Sequence, residues 1–262
     1  MNAMTAERQT SQSSVRLLQI MECMAVNRTP MRLQDISRAV GMTQPTVLRY
    51  LYTLEDAGYI YQDEESSRYG LTWRVCSLSD GLNSMLGLRN ITTPFTNRLA
   101  NSLSLGVCLV IDRNNECMYL DCIDNPSSPT LQRIGKQAPL HATGSGKILL
   151  SQYSDSQFED YFSSGLAKYT EYTITDADAL RAELSAIRLQ GYAMDNEECE
   201  VGLRCVSCPL RDYTSRIIAA MSVFGKTSDM SEAVVQETIL PLLKQITQTI
   251  STRLGYVLAP NG

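Results

Sequence analysis

The stretch LQDISRAVGMTQPTVLRYLYTL, residues 33–54, decides the fold of the first part of the chain. It holds two short segments that meet at Gly41, and both repeat apolar residues at helical spacing. These residues are Leu33, Ile36 and Val40 in the first segment and Val47, Leu51 and Leu54 in the second. Two amphipathic helices joined by a glycine-containing turn are typical of a helix-turn-helix. A helical hairpin in any small domain is the alternative interpretation.

The second of these segments carries side chains that can read DNA. Thr43 is a suitable N-cap, and Pro45 lies in the first turn, where a missing N–H costs no hydrogen bond. Arg49 is the only charged residue between Gly41 and Leu54, and arginine can bind guanine as glutamine can bind adenine. The residues predicted to face DNA from this helix are Thr43, Gln44, Thr46, Leu48 and Arg49.

A helix and a hairpin flank this pair of segments. Apolar spacing predicts a first helix over 15–26, and two short strands, 58–62 and 68–71, surround an acidic turn. This order predicts a winged helix-turn-helix domain over 15–74, with Arg68 and Tyr69 of the hairpin contacting the DNA backbone. The acidic turn would point away from phosphate. Residues 1–14 are polar and without periodicity, and we predict a disordered tail.

Composition limits the class of protein. A chain of 262 residues with 44% hydrophobic and 19% charged residues can form about two globular domains. No apolar run reaches the roughly 18 residues of a membrane-spanning helix, and the N-terminus is polar. We therefore expect a cytoplasmic protein that does not bind membranes. The eight cysteines are spread along the chain, several within apolar runs, so we expect them to be reduced and mostly in the core.

The distribution of charge argues for an oligomer. Residues 1–74 contain eight arginines and eight acidic residues, and the whole chain carries a net charge of −5. This is not the basic surface that nucleic-acid-binding proteins often have. Electrostatic affinity for DNA should be modest, so tight binding would need several DNA-binding modules at once.

The second part of the chain alternates between strand and helix patterns. A helical pattern covers 73–88, and a mixed domain begins near residue 91. Apolar runs predict strands at 107–111, 117–123, 130–134, 203–209 and 217–224. Helices are predicted after the loop 139–143, over 176–190 with a cap near Thr175, and over 231–254. Together these elements predict a sheet covered by helices.

The tetrapeptide Gly144-Ser145-Gly146-Lys147 opens one of these helices. It is not a nucleotide-binding Walker A loop, because that motif needs glycine where His141 stands and serine or threonine where Ile148 stands. Backbone N–H groups at a glycine-rich helix start suit a small carboxylate. The alternative interpretation is a tight helix entry that needs glycine only for its backbone. We predict no cofactor.

Residues 41–62 and 67–78 resemble the N-terminal winged helix of IclR-family transcriptional regulators. The matching residues are Thr46, Arg49, Leu51, Leu54, Gly58, Tyr59, Tyr69 and Leu71. Pro45 and Leu48 depart from the family pattern, so an operator sequence cannot be transferred. The resemblance implies that 75–90 is a linker helix that helps to dimerise the protein. It also implies a homodimer, or a dimer of dimers, on a palindromic double-stranded DNA operator.

Residues 139–150, 188–210 and 217–223 resemble the effector-binding domain of the same family. The resemblance implies an α+β protein whose second domain, 91–258, is a GAF-like α/β domain that holds a small organic acid. The implied effector residues are Thr143, Gly144, Ser145, Asp195, Cys205, Ser222 and Phe224, with the amides of Gly144 and Ser145 on the carboxylate. Phe224 stands where some members have serine, which favours an effector with an apolar or aromatic part. The implied function is a DNA-binding regulator, specifically a repressor, controlled by this effector.

An enzyme is the main alternative class. His141, the only histidine, could form a thiol nucleophile pair with Cys205 or Cys208. These two cysteines also form a CxxC motif, but within a strand they point to opposite faces, which suits neither zinc nor a disulfide. Residues 195–199 could hold a divalent cation or form a polar loop with Asp195 turned inward. We predict a structural histidine, core packing of the two cysteines and a polar loop at 195–199, with no catalytic and no metal site.

Overall fold

A computed structural model describes residues 11–27, 29–78, 87–124, 137–163 and 165–257. The chain divides into two compact units between residues 85 and 86. No helix within the described ranges is both long and apolar enough to cross a lipid bilayer.

The N-terminal unit has three helices followed by a two-stranded antiparallel hairpin. The elements are α1 (Gln12–Asn27), α2 (Leu33–Val40), α3 (Gln44–Asp56), β1 (Ile60–Gln62) and β2 (Tyr69–Leu71). The winged helix predicted from the sequence is confirmed. Helix α1 begins three residues before the predicted start, and residues 1–10, part of the predicted tail, lie outside the described residues.

Local chemistry sets the turn between α2 and α3. Gly41 ends α2 with φ of 65° and donates its N–H to the carbonyl of Ser37, a left-handed conformation that glycine adopts at little cost. Thr43 is extended and precedes α3, which carries its proline in the first turn. Ile20, Ile36, Val47 and Leu51 are fully buried and hold the three helices together.

The segment that joins the two units was predicted as one helix over 75–90. Residues 74–78 are helical, whereas residues 79–86 lie outside the described residues. Residues 88–90 belong instead to a helix that the sequence did not predict, α4 (Leu88–Leu103), which follows an N-cap at Gly87. Its buried face includes Thr92 and Thr96, whose hydroxyls donate to carbonyls one turn earlier. Because two buried positions are polar, apolar periodicity does not reveal this helix.

The C-terminal unit is built on a six-stranded sheet in which every neighbouring pair is antiparallel. Its strands are β3 (Gly106–Asp112), β4 (Glu116–Ile123), β5 (Gln137–Pro139), β6 (Ala193–Asn196), β7 (Leu203–Arg211) and β8 (Ile217–Lys226). Their order across the sheet is β5-β4-β3-β8-β7-β6. The predicted β3–β4 hairpin and strands β7 and β8 are confirmed. The strand predicted at 130–134 lies outside the described residues, and β5 and β6 were not predicted.

Helices cover both faces of this sheet. They are α5 (Gly144–Leu150), α6 (Asp155–Ser163), α7 (Ala177–Gln190) and α8, which extends from Glu232 to Arg253. The α8 face is the side on which Leu109, Val206 and Met221 pack with α4 and α8. The α5 face is the opposite side, on which Val110, Cys205 and Phe224 pack with α5, α6 and α7.

Two helices differ in detail from the sequence-based expectation. The cap of α7 is Asp176, not Thr175, since the Asp176 carboxylate accepts the N–H of Ala179. Helix α8 contains a π-helical segment, Val235–Ile239, directly before the α-helical part that carries Pro241 in its first turn. Leu243 is fully buried in the core on the α8 face, and its neighbour Leu242 is half-buried against the same core. Helix α6 was not predicted.

Candidate functional site

The first turns of α3 form the candidate DNA-reading surface. Thr43, Gln44 and Arg49 are exposed, and Thr46 and Leu48 are half-buried. The hydroxyls of Thr43 and Thr46 lie 2.9 Å apart, which fixes both side chains at the start of the helix. The Arg49 guanidinium lies 5.5 Å from the ring centre of its neighbour Tyr50. These five predicted residues are thus close together and at least partly accessible.

The wing places its two predicted DNA contacts differently. Tyr69 is only 4% exposed and packs in the core of the N-terminal unit, so the expectation that its side chain contacts DNA is wrong. Its backbone exchanges hydrogen bonds with Met31, which draws β2 onto the segment before α2 and turns the ring inward. Arg68 is half-buried and donates to the carbonyl of Pro30 at 3.1 Å. Arg68 therefore also anchors the wing.

The glycine loop packs tightly onto the sheet. Thr143 caps α5: its hydroxyl accepts the N–H of Gly146 at 3.1 Å and donates to the carbonyl of Pro139 at 3.0 Å. The Thr143 hydroxyl is thereby committed to positioning the loop. A Cβ on Gly144 would lie 2.8 Å from Ser207 Oγ, and Ser145 Oγ lies 3.3 Å from the same hydroxyl. Within the described residues, no hydrogen-bond acceptor takes the backbone N–H of Gly144 or Ser145.

Strand register gathers the remaining predicted residues beneath this loop. Asp195, Cys205 and Phe224 form one row across β6, β7 and β8, because Asp195 pairs with Cys205 and Cys205 pairs with Phe224. Ser207 and Ser222 pair in the next row on the same face. Side chains two residues apart on a strand share a face, so both rows lie on the α5 face. All five side chains are buried. The Phe224 ring lies against the backbone of Gly106 on this face.

Sequence reasoning missed two members of this cluster. Ser207 lies two residues after Cys205, so strand alternation alone could have identified it. Cys108 pairs with Ser222 on the neighbouring strand. No pattern within either strand indicates that pairing, because it depends on register.

A buried ion-pair network of Lys147, Glu183 and Glu198 fixes the helix that follows the glycine loop. Lys147 is 1% exposed, and its ammonium lies 2.6 Å from Glu198 Oε1 and 3.2 Å from Glu183 Oε1. Glu198 Oε2 is buried and has no hydrogen-bond partner within the described part of the chain. The network therefore joins α5 to α7 and to the turn after β6.

Asp195 is the titratable group at the centre of the cluster. Burial, followed by repulsion from Glu198, raises the pKa of its carboxyl to about 7, although it accepts the backbone N–H groups of Glu198 and Cys199. Because the folded-state pKa lies above the ordinary value of 3.8, the folded protein retains a proton that the unfolded chain releases. This group makes the fold less stable as pH rises from about 4 to about 7.

We expect Asp195→Asn to remove that pH dependence. The amide oxygen can accept the same two N–H groups without a buried charge, so at pH 8 the variant should be more stable, by up to about 4 kcal/mol. At pH 5 the difference should be much smaller. Urea unfolding of both proteins at the two pH values measures this, and an equal difference at both would contradict the assignment of the proton to Asp195.

The alternatives based on nucleophiles and metals do not fit the geometry. The two ring nitrogens of His141 contact Tyr161 Oη at 2.8 Å and the carbonyl of Ala167 at 3.0 Å, so neither is left to serve a cysteine. Cys205 and Cys208 pack on opposite faces of the sheet, as the sequence predicted. Burial raises the pKa of the Cys208 thiol to about 12, which keeps it protonated. No group of three His, Cys, Asp or Glu side chains among the described residues could hold a metal ion.

The cysteines differ from expectation in one respect. Cys108 and Cys122, directly opposite each other on β3 and β4, are joined by a disulfide. This pair is the exception in the structure to the expectation that all eight cysteines are reduced. The bond became possible because register brings the two α carbons to 4.2 Å, close to the spacing of directly opposed residues in an antiparallel sheet. Cys117, Cys205 and Cys208 are buried in the cores, as expected.

Comparison with known protein families gives a match for each of the two units. The model of the bacterial transcriptional regulator IclR C-terminal domain matches residues 82–252, and the IclR helix-turn-helix domain matches residues 13–64. The chain belongs to the IclR family. Members of this family are DNA-binding transcriptional regulators with an effector-binding C-terminal domain, not enzymes.

Three similar proteins show how far the likeness of this IclR-family regulator extends along the chain. It is 30% identical to the HTH-type transcriptional regulator XynR of Escherichia coli over 94% of this chain and 98% of that protein. It is also 30% identical to the p-hydroxybenzoate hydroxylase transcriptional activator of Acinetobacter baylyi, over 87% of this chain and 86% of that protein. The crystal structure of the PobR inducer-binding domain from Acinetobacter, a double mutant in complex with 3-hydroxybenzoic acid, covers 63% of this chain and 98% of its own, with 27% identity and a TM-score of 0.59.

Proposed function

We propose that this regulator binds a small aromatic carboxylate on the α5 face of its C-terminal sheet and that the bound effector controls its affinity for an operator. The observation that carries the proposal is the group of buried polar side chains beneath the glycine loop, namely Ser145, Asp195, Cys205, Ser207 and Ser222. The hydroxyls of Ser145 and Ser207 lie 3.3 Å apart and pair with each other, and a hydroxyl can turn from such a partner to a ligand oxygen, so this concentration of polar groups in a core favours a polar ligand there.

The chemistry of the cluster supports the class of ligand. The amide groups of Gly144 and Ser145 can donate to a carboxylate, and the hydroxyls of Ser207 and Ser222 can donate to further oxygens. Phe224 adds an aromatic surface against which a planar ring can pack. The related inducer-binding domain was crystallised with 3-hydroxybenzoic acid, which has this combination of a carboxylate, a hydroxyl and a ring.

A thermal-shift screen of benzoic, hydroxybenzoic and aliphatic carboxylic acids tests the proposal. A ligand that binds only the folded protein raises its melting temperature by mass action. At least one aromatic acid should do so, while benzamide, which lacks the charge, should not. A screen in which only aliphatic hydroxy acids stabilise the protein would overturn the aromatic part of the proposal.

Two charge changes locate the site. Gly144→Asp places a carboxylate beside the proposed ligand carboxylate and should abolish the shift. Gly144→Asn adds the same bulk without the charge and measures how much of the loss comes from the close approach of this position to Ser207 Oγ. Asp195→Asn removes a nearby titratable carboxyl and should increase affinity for the acid at pH 8. A larger loss in Gly144→Asp than in Gly144→Asn supports the carboxylate assignment, and an unchanged shift in Gly144→Asp would contradict it.

We infer that Arg49 reads a base in the operator. It is exposed and is the only charged residue of α3 before Glu55, and a bidentate arginine–guanine contact gives about 1–3 kcal/mol of discrimination. Arg49→Ala should therefore lower affinity for DNA selected by the wild-type protein from a random library, by about tenfold or more. The control, Arg38→Ala, removes the same charge from α2 and should weaken selected and unselected DNA alike. If Arg49→Ala also weakens both alike, Arg49 contacts phosphate only.

We further propose that the protein binds a palindromic operator as a dimer, or as a dimer of dimers, and represses transcription. The N-terminal 74 residues carry no net charge, so one head alone gains little electrostatic affinity. Repression needs only occupancy of the operator, whereas activation needs a further contact with the transcription machinery. Footprinting with a promoter reporter tests this: protection of two half-sites and higher expression after deletion of the gene support repression, and lower expression would assign an activator.

A further inference from the structure

We propose that Cys108 and Cys122 form a reversible oxidation site, in which a hydroperoxide converts two thiols into the disulfide and thereby changes the anchoring of α4. Transcriptional regulators work at the chromosome, in a compartment where thiols are kept reduced, and disulfides formed there are usually transient. Cys108 and Cys122 lie directly opposite each other with α carbons 4.2 Å apart, so in such a compartment they are placed to act as a thiol pair that changes with oxidant.

The geometry of β4 makes this pair possible. Leu109 pairs with Asp121 and Val110 with Tyr119, so Leu120 is an extra residue, a β-bulge, on β4. Cys117 lies on the α5 face, and strict alternation would turn Cys122, five residues later, to the other face. The bulge reverses the alternation and brings Cys122 onto the face of Cys108.

The two thiols differ in access. Cys108 is 1% exposed, whereas Cys122 is half-buried, so a small oxidant reaches Cys122 first. The Cys122 thiolate attacks the peroxide, the O–O bond breaks, and a sulfenic acid and an alcohol or water form. The Cys108 sulfur then displaces water from the Cys122 sulfur. Two thiols and one hydroperoxide thus give one disulfide, one alcohol (or water) and one water, with the two thiol protons carried away in these products.

The oxidation state of Cys122 is linked to α4 through the adjacent residue, Asp121. The Cys122 N–H donates to Asp121 Oδ1 at 3.2 Å, and Asp121 points to the other side of the sheet. There, the Asp121 carboxylate accepts the hydroxyl of Thr93 at 3.0 Å and lies 3.5 Å from the Arg89 guanidinium. Asp121 is buried, so this carboxylate is a fixed anchor for the first turns of α4. Helix α4 is also the first described element of the C-terminal unit after the segment that joins it to the DNA-binding unit.

Peptide mapping of the full-length protein tests the site directly. The protein is reduced, desalted, treated with one equivalent of cumene hydroperoxide and digested with trypsin, which cleaves after Arg113 and separates the two cysteines. The expected product is a cross-link between the Cys108 peptide and the Cys122 peptide, reversed by dithiothreitol. Cys122→Ser should abolish it, and the matched variant Cys117→Ser, on the same strand and face, should retain it. Failure to form this cross-link, or a cross-link that persists in Cys122→Ser, would overturn the proposal.

Hydrogen exchange distinguishes a switch from a purely structural bond. Amide exchange over residues 92–96 of α4 should be severalfold faster in the reduced protein than in the oxidised protein, both in wild type and in Cys117→Ser. In Cys122→Ser the exchange rates before and after oxidant treatment should be equal. Unchanged exchange over α4 between the two redox states would refute the link to α4. These readouts need neither effector nor DNA, so their outcome is independent of the proposed function.

Discussion

Replacing Gly146 with alanine is expected to destabilise the C-terminal unit by more than about 3 kcal/mol. A Cβ at this position would lie 2.3 Å from the carbonyl oxygen of Leu140 and 2.4 Å from its α carbon. Both are backbone atoms of the loop that leads into α5, so no side-chain rotation relieves the contact. The glycine is therefore required by close packing of the loop on its own helix.

Thermal unfolding followed by circular dichroism measures this effect. A loss of this size should lower the melting temperature of the C-terminal unit by roughly 6–12 °C. Gly87→Ala is the matched control, because an added Cβ there meets no atom of the described residues within 4 Å, and it should leave the melting temperature almost unchanged. If Gly146→Ala melts like Gly87→Ala, the loop can move away from α5 and the packing argument is wrong.

Replacing Lys147 with methionine is expected to destabilise the protein by about 3–5 kcal/mol. The ammonium is almost fully buried, and its loss leaves the Glu198 carboxylate buried without its counter-ion. Removing one partner of a buried pair costs more than removing both, since the second change also removes the uncompensated charge. The double variant Lys147→Met/Glu198→Gln should therefore recover at least half of the lost stability.

Urea unfolding at pH 7 of the single and double variants measures this coupling. Glu183→Gln is the control for the weaker contact, because the Glu183 side chain is 32% exposed and its ion pair is partly screened. It should cost less than about 1 kcal/mol. A double variant no more stable than Lys147→Met alone would show that the loss comes from packing of the lysine stem rather than from the unpaired carboxylate.

The DNA-binding unit could be predicted almost completely from the sequence. Helical spacing, the glycine at the turn and the proline at the start of α3 are local features, and each acts within a few residues. The exposed position of Arg49 follows from the same periodicity. Tyr69 is the exception, since its burial depends on the pairing of β2 with Met31, which is distant in the sequence.

The C-terminal site could be predicted only in part. The loop residues Gly144 and Ser145 and the strand residues Cys205 and Ser222 can be named from motifs, but their mutual contact depends on strand order. The sequence predicted neither β6 nor α4, because β6 is four residues long and the buried face of α4 includes two threonines. Strand alternation places Ser207 on the same face as Cys205, but its contact with Ser145 of the loop depends on tertiary packing.

The sequence by itself determined the winged helix, the glycine loop and the alternation of faces along β7 and β8, because backbone periods of 3.6 and 2 residues act on neighbouring positions. Only the tertiary structure decided which side chains meet across strands. The bulge at Leu120 reverses the face of Cys122 and places it opposite Cys108, and the register of β8 places Ser222 beside both Cys108 and Ser207. Register is a property of two strands together, so neither strand alone contains it.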